Sequence, residues 1–79
     1  REQSPEDKLD DKLMKEWLDS CMADLSEKYR AVLVLYYLEE KTYEEISEIL
    51  RISMGTVGTR LSRGKALVKK LCNRNNGKK

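Results

Sequence analysis

The chain has 79 residues, of which 39% are hydrophobic and 38% charged, with four glycines, one proline and no phenylalanine. This length allows one small domain with a modest core, and the composition favours a helical globular fold over a disordered or all-β one. No apolar run approaches the roughly 20 residues that cross a bilayer, and no signal peptide is apparent. A soluble, cytoplasmic protein that does not bind a membrane is therefore expected.

Charge is divided unevenly along the chain. Residues 1–50 carry seven basic and all fourteen acidic residues, for a net charge of −7, whereas residues 51–79 carry nine basic residues and no acid, for +9. A basic segment that makes up about a third of the chain, next to an acidic remainder, predicts that one face of the domain binds a polyanion. The alternative is a basic tail that only maintains solubility, but the acid-free stretch begins within a predicted helix.

The first predicted helix runs from Pro5 to about Asp24. Ser4 is a suitable N-cap, and proline followed by acidic residues is typical of a helix start. Apolar residues recur at spacings of three and four, which predicts an amphipathic helix: Leu9, Leu13, Met14, Trp17, Leu18, Cys21, Met22 and Leu25. Trp17 is interpreted as a core anchor or a partner contact. Residues 1–4 are expected to be a disordered linker remnant of a longer chain, because the sequence starts without Met.

A second helix, SEKYRAVLVLYYLEE, is predicted to begin with Ser26 as its N-cap. Its segment 31–38 is apolar apart from tyrosine hydroxyls, which a buried strand would also explain. A helix is favoured because no turn signal or partner strand lies nearby. A helix that is apolar on all sides suits the centre of a small bundle.

A third helix is predicted to begin at Tyr43. Thr42 and Glu45 have the spacing of a capping box, in which a hydroxyl and a carboxylate satisfy backbone amides at the helix start. One face of this helix is predicted to hold its apolar residues, Ile46, Ile49 and Leu50.

A fourth helix is predicted to start near Met54, because residues 51–53 interrupt the apolar pattern and Ser53 is a suitable N-cap. One face holds Val57, Leu61, Gly64, Val68 and Leu71. At about 100° per residue, the opposite face holds Thr59, Ser62, Arg63, Ala66 and Lys70. Hydroxyls beside an arginine suit contact with base edges in a DNA major groove. Two helices joined by about three residues match a helix-turn-helix. The alternative is a pair of surface helices whose charged side chains only keep it soluble and bind no DNA.

Cys21 and Cys72 are the only cysteines, without CxxC spacing and in a chain without histidine, so no zinc site is expected. Both occupy apolar helical positions, which predicts buried free thiols in a reducing cytoplasm and no disulfide. The absence of histidine and of a phosphate-binding loop predicts a binding module, with no catalytic residue, metal, cofactor or small-molecule substrate. The tail 73–79 has no apolar residue and is expected to be flexible.

Several separated segments resemble region 4 of bacterial sigma factors, most closely the extracytoplasmic-function (ECF) type. The resemblance covers about residues 19–71, and its most specific segments are LSEKYR, YEEI, GTV, TRL and SRGK, which begin at residues 25, 43, 55, 59 and 62. It implies an all-α, four-helix domain over residues 5–72 that ends in a helix-turn-helix, without a sheet. Its last helix would read the −35 promoter element in the major groove. The resemblance also implies docking on the β flap of RNA polymerase and sequestration by an anti-sigma factor.

The resemblance assigns individual positions as well. Thr59, Ser62 and Arg63 occupy base-reading positions, in agreement with the helical periodicity. Contacts to the DNA backbone are expected from two helix N-termini and two flanking cations, at Thr42, Tyr43, Ser53, Gly55, Thr56, Arg60 and Lys65. Tyr36 is a further candidate DNA contact, although a tyrosine there equally suits a core.

Two positions depart from the family pattern. Gly58 stands where a basic residue is frequent, which removes one expected phosphate contact, and Arg51 stands at a turn position where glycine is frequent. A left-handed cap at a residue other than glycine costs roughly 1 to 2 kcal/mol.

Two other functions remain open at this point. One is the helix-turn-helix effector domain of a response regulator, which typically has a histidine in the recognition helix that this chain lacks. The other is a helical protein-binding module in which acidic residues and Trp17 contact a partner.

Overall fold

The computed structural model describes the backbone of residues 5–76 and the side-chain surroundings of residues 12–72. Within this part, the chain forms four helices and no strand. Helix α1 is Pro5–Cys21, followed by a 3-10 turn at Met22–Asp24; α2 is Glu27–Leu33, continued by a π-helical segment at Val34–Leu38; α3 is Tyr43–Leu50 and α4 is Met54–Asn76. The predicted all-α, four-helix fold is confirmed.

One hydrophobic core joins the four helices. It consists of Met14, Leu18, Cys21, Leu25, Val32, Leu33, Tyr37, Ile46, Val57, Leu61, Val68 and Cys72, all buried. Helix α4 contributes from its first turns to Cys72 and packs on each of the other three helices. Because all three helices contact α4, the core determines which face of α4 remains outside.

Helix α1 has the predicted amphipathic character, with a narrower buried face than expected. Met14 and Leu18 are fully buried, and Trp17 is half-buried against the core, whereas Leu13 is 38% exposed. Leu9 lies outside the residues whose side chains are described. The α-helix ends three residues earlier than predicted because the chain tightens into the 3-10 turn.

The start of α2 is predicted correctly, but the predicted hydroxyl cap is wrong. The Ser26 carbonyl accepts a hydrogen bond from the Arg30 amide at 3.0 Å, while the Ser26 hydroxyl makes no capping bond. Instead, the Arg30 guanidinium donates to the backbone carbonyls of Met22 and Leu25, at 3.4 and 3.2 Å. These bonds tie the preceding 3-10 turn to α2.

The apolar segment that follows Leu33 is helical, as predicted, but it is π-helical and is not buried on all sides. Tyr37 points into the core, whereas Leu38 is 43% exposed. Residues 39–42 then connect to α3, and Glu40 in this connection has a left-handed backbone with φ of 59°. The prediction of a fully buried central helix is therefore wrong for the end of this segment.

The capping box of α3 is confirmed by two reciprocal hydrogen bonds. The Glu45 amide donates to the Thr42 hydroxyl at 3.1 Å, and the Thr42 amide donates to the Glu45 carboxylate at 2.9 Å. The predicted apolar face is only partly correct: Ile46 is buried and Leu50 half-buried, but Ile49 is 51% exposed. The core covers a narrower stripe of α3 than its sequence pattern suggests.

Replacing Thr42 with alanine is expected to lower the free energy of unfolding by about 1 kcal/mol, because the Glu45 amide loses its capping acceptor. Thermal unfolding monitored by circular dichroism should show a decrease of about 4 to 8 °C. Ser26→Ala is the matched control, since the Ser26 hydroxyl caps nothing, and we expect a change of only a few tenths of a kcal/mol. Equal losses in the two variants would contradict the capping box.

The turn between α3 and α4 has three residues, as predicted, and is closed by local hydrogen bonds. Arg51 adopts the left-handed conformation, with φ 60° and ψ 47°. The Ile52 amide donates to the Ser47 carbonyl at 3.1 Å, and the Ser47 hydroxyl donates to the Ile52 carbonyl at 2.6 Å. Ser53 caps α4 by accepting the Thr56 amide at 3.1 Å, which confirms the predicted N-cap.

Helix α4 continues to Asn76, so residues 73–76, which the sequence places in the predicted tail, are helical. The predicted flexibility of residues 73–79 remains a prediction. The predicted linker remnant, residues 1–4, lies outside the described residues.

The prediction of free cysteines is wrong in this structure. Cys21, at the end of α1, and Cys72, on α4, form a disulfide, with their Cα atoms 6.4 Å apart and both side chains buried. The residues are separated by 51 positions in sequence, and the packing of α1 on α4 brings them together. No local pattern in the sequence reports such a contact.

Candidate nucleic-acid interface

The exposed face of α4 is the one that the helical periodicity predicts. Thr59, Ser62 and Arg63 are all exposed, as are Ala66 and Lys70 further along the helix. On the opposite side, the predicted ridge points inward, with Val57, Leu61, Gly64 and Val68 buried and Leu71 half-buried. The three predicted base-reading side chains share one face because they are spaced by three and four residues.

The N-terminal half of α4 borders an open depression of about 420 Å³. It is lined by Lys28, Tyr29, Ser53, Gly55, Thr56, Thr59, Arg60 and Arg63. Three cationic side chains and the start of a helix therefore surround one concave surface, without a carboxylate in its lining. Such a surface suits a phosphate group of a nucleic-acid backbone.

Lys28 is a candidate contact that the sequence analysis missed. It lies on α2, about thirty residues before the recognition face, and its ammonium group is 5.2 Å from the centre of the Tyr29 ring. The segment LSEKYR is one of those that resemble the family, but the resemblance implies no DNA contact from it. Only the packing of α2 on α4 brings Lys28 beside Arg60 and Arg63.

The start of α4 keeps the features expected of an anion site. Gly55 is exposed, and a Cβ atom placed on it would meet only the Ser53 hydroxyl, at 3.8 Å. The first turn of α4 contains no acidic residue, so the positive end of the helix dipole is not offset there. The Thr56 amide is already bound to the Ser53 hydroxyl, which leaves the earlier amides of this turn for a ligand.

The start of α3 is less suited to a phosphate than the start of α4. The Thr42 amide is bound to the Glu45 carboxylate, and Glu44 and Glu45 place two acids in the first turn. Tyr43 is 38% exposed. The backbone-binding roles of Thr42 and Tyr43 remain predictions, and the local charge favours a hydroxyl contact over an amide contact.

Tyr36 is half-buried in a cluster of aromatic rings. Its ring packs edge-on against those of Tyr37 and Tyr43, with centroids 4.9 and 5.7 Å away. Tyr36 therefore contributes to packing, as one of its two proposed roles requires, and a DNA contact by Tyr36 remains a prediction.

Arg60 and Lys65, the predicted flanking cations, are both half-buried along α4.

Two kinds of site are absent from the part of the chain that the structure describes. Its helices include none that is long and apolar enough to span a membrane. It also has no group of three or more His, Cys, Asp or Glu side chains placed to hold a metal ion.

A short capped helix, a three-residue turn and a longer helix with a cationic outer face define a helix-turn-helix domain of the DNA-binding class. The family described as "Sigma-70, region 4" matches residues 15–68, more than half of the chain. The chain therefore belongs to the sigma-70 region 4 family. This membership confirms the resemblance and does not favour the response-regulator alternative.

Two curated relatives come from Bacillus subtilis (strain 168). The ECF RNA polymerase sigma factor SigW is 39% identical over 66 residues, which are 84% of this chain and 35% of SigW. The ECF RNA polymerase sigma factor SigM is 41% identical over 61 residues, which are 77% of this chain and 37% of SigM. The chain thus corresponds to about a third of the length of these relatives. No solved structure gives a significant match.

Proposed function

We propose that this domain binds double-stranded promoter DNA at the −35 element and directs an RNA polymerase to it for transcription initiation. In this role, α4 enters the major groove, and Thr59, Ser62 and Arg63 contact base edges. The domain acts as a binding module and not as an enzyme. The exposed face of α4 carries this proposal: three polar or cationic side chains on the outside, directly opposite a buried apolar ridge.

Contacts to the DNA backbone position the reading helix in this proposal. The cations at positions 28, 60 and 65 and the start of α4 at Ser53, Gly55 and Thr56 contact phosphates on the flanks of the groove. Thr42 and Tyr43, at the start of α3, would contact a neighbouring stretch of the backbone. Such contacts determine register and orientation, whereas sequence selection comes from the base edges.

A salt-titrated binding assay against a pool of short duplexes tests the proposal. We expect the pool to converge on one sequence and the affinity to fall with salt. If Lys28, Arg60 and Lys65 each neutralise one phosphate, the log–log slope should be about −3. Absence of binding at low salt, or binding that salt does not weaken, would favour the protein-binding module instead.

The further partners in this proposal rest on the family membership alone. We propose that the chain acts in the cytoplasm, docks on the β flap of RNA polymerase and is held by an anti-sigma factor. The exposed Leu38 and the acidic α1 offer a protein-binding surface, while Trp17 is half-buried and less available. A pull-down in which Leu38→Ala and Trp17→Ala leave capture by these partners unchanged would contradict this surface.

A further inference from the structure

Cys21 and Cys72 form a cross-link between the first and the last helix that the DNA-binding role does not use. Cys21 is the last residue of α1, and Cys72 lies near the end of the described part of α4. Their Cα separation of 6.4 Å is within the range of about 4.4 to 6.8 Å that a disulfide spans. The two cysteines can therefore bond with the helices packed as they are.

The same two positions also suit a pair of thiols. Both side chains are at most 2% exposed and belong to the apolar core beside residues such as Leu18 and Val68. A cysteine thiol behaves as a small hydrophobic group in such surroundings. Reduction of the pair to two neutral thiols would therefore place no charge in the core.

The cross-link is remote from the predicted DNA face. Cys72 follows Arg63 by nine residues, which is about 13.5 Å along a helix at 1.5 Å per residue. Neither cysteine lines the depression beside Lys28 and Arg60. The disulfide therefore joins α1 to α4 at a point away from the reading residues.

We propose that Cys21 and Cys72 are a reversible dithiol–disulfide pair. Oxidation of this pair by a low-molecular-weight disulfide links α1 covalently to α4. Local opening of α1 from α4 gives the small disulfide access to the buried pair. One protein thiolate attacks the small disulfide and releases its first thiol, which gives a mixed disulfide. The second protein thiolate then attacks the mixed disulfide and releases the second thiol. The two protein thiols lose two electrons and two protons, and the small disulfide is reduced to two thiols.

The consequence of oxidation is greater stability of the folded domain. A bond between residues 51 positions apart restricts the unfolded chain strongly. In the reduced state, α1 is held to α4 only by non-covalent packing. Given the proposed DNA-binding function, oxidation would preserve DNA binding at temperatures that unfold the reduced domain.

The test uses the unmodified chain in both redox states. Thermal unfolding in dithiothreitol and in glutathione disulfide, at equal protein concentration, should differ by about 10 °C or more, with the oxidised form the more stable. Iodoacetamide labelling in denaturant, read by mass spectrometry, should add two groups to the reduced chain and none to the oxidised monomer. The double variant Cys21→Ala/Cys72→Ala is the control, and its melting temperature should not respond to the redox buffer, because it has no thiol to react.

A glutathione titration decides whether the pair is reversible. The pair should be reduced at a cytosol-like ratio of reduced to oxidised glutathione and should become a disulfide as that ratio falls. A disulfide that persists at the cytosol-like ratio, or oxidation that yields only mixed disulfides or dimers, would overturn the proposal. Equal melting temperatures in the two states would overturn it as well. None of these readouts involves DNA, so failure here is distinct from failure of the proposed function.

Discussion

Replacing Gly64 with valine is expected to lower the free energy of unfolding by about 2 to 3 kcal/mol, because the core has no room for the new methyl groups. Gly64 is buried on α4, and a Cβ atom there would lie 3.0 Å from Leu33 Cδ1 and 3.4 Å from Tyr29 Cβ. Either the buried Leu33 side chain would have to shift or helices α2 and α4 would have to move apart. Circular dichroism should record a melting temperature lower by about 10 to 20 °C.

Gly58→Val is the matched control, since it makes the same change six residues earlier on the same helix. A Cβ atom at Gly58 would meet only Tyr43 Cε2, at an ordinary contact distance of 3.5 Å, and Tyr43 is itself exposed. Valine also has a somewhat better helix propensity than glycine, so we expect a change within about 0.5 kcal/mol. Comparable losses at both positions would mean that the close contact between α2 and α4 does not limit stability.

The second large effect is expected at Arg63, the one charged side chain among the predicted base-reading residues. Arg63→Ala should weaken binding to the preferred duplex by about 1 to 3 kcal/mol, or roughly 5- to 150-fold in Kd. Binding to random duplexes should change much less, because a base contact contributes only where the matching base is present. Fluorescence anisotropy with both duplexes at one fixed salt concentration measures this difference.

Lys28→Ala provides the contrasting variant for the same assay. If Lys28 contacts a phosphate, its removal should weaken binding to preferred and random duplexes equally and should reduce the salt slope by about 1. Lys12→Ala, which changes an exposed cation on α1, controls for the loss of one positive charge and should affect neither duplex strongly. Equal losses for Arg63→Ala on both duplexes would reduce Arg63 to a phosphate contact.

Short-range patterns predicted most of what positions the candidate site. The capping box at Thr42, the N-cap at Ser53 and the period of the ridge from Val57 to Leu71 each involve residues three or four positions apart. Interactions at that spacing form within a single helix, so they can be identified without knowing the rest of the fold. The orientation of Thr59, Ser62 and Arg63 follows from the ridge alone.

The sequence was a poor guide where burial depends on distant partners. Ile49 has the period of the α3 apolar face, yet α4 and the π-helical segment cover only the stripe around Ile46. Ser26 has a residue type suited to capping, but the arginine that follows it anchors the turn instead. At Ile49, the packing of distant elements decides the burial; at Ser26, side-chain bonds to carbonyls five and eight residues from Arg30 replace the expected cap.

The sequence by itself determined the all-α fold, the helix-turn-helix and the outward face of its last helix, because these depend on residue types at helical spacing and on the separation of charge along the chain. Only the tertiary structure decided that Lys28 joins the start of α4, that Gly64 is a close contact between helices, and that Cys21 meets Cys72. These contacts join residues far apart in sequence, and their distances are set by how whole helices pack.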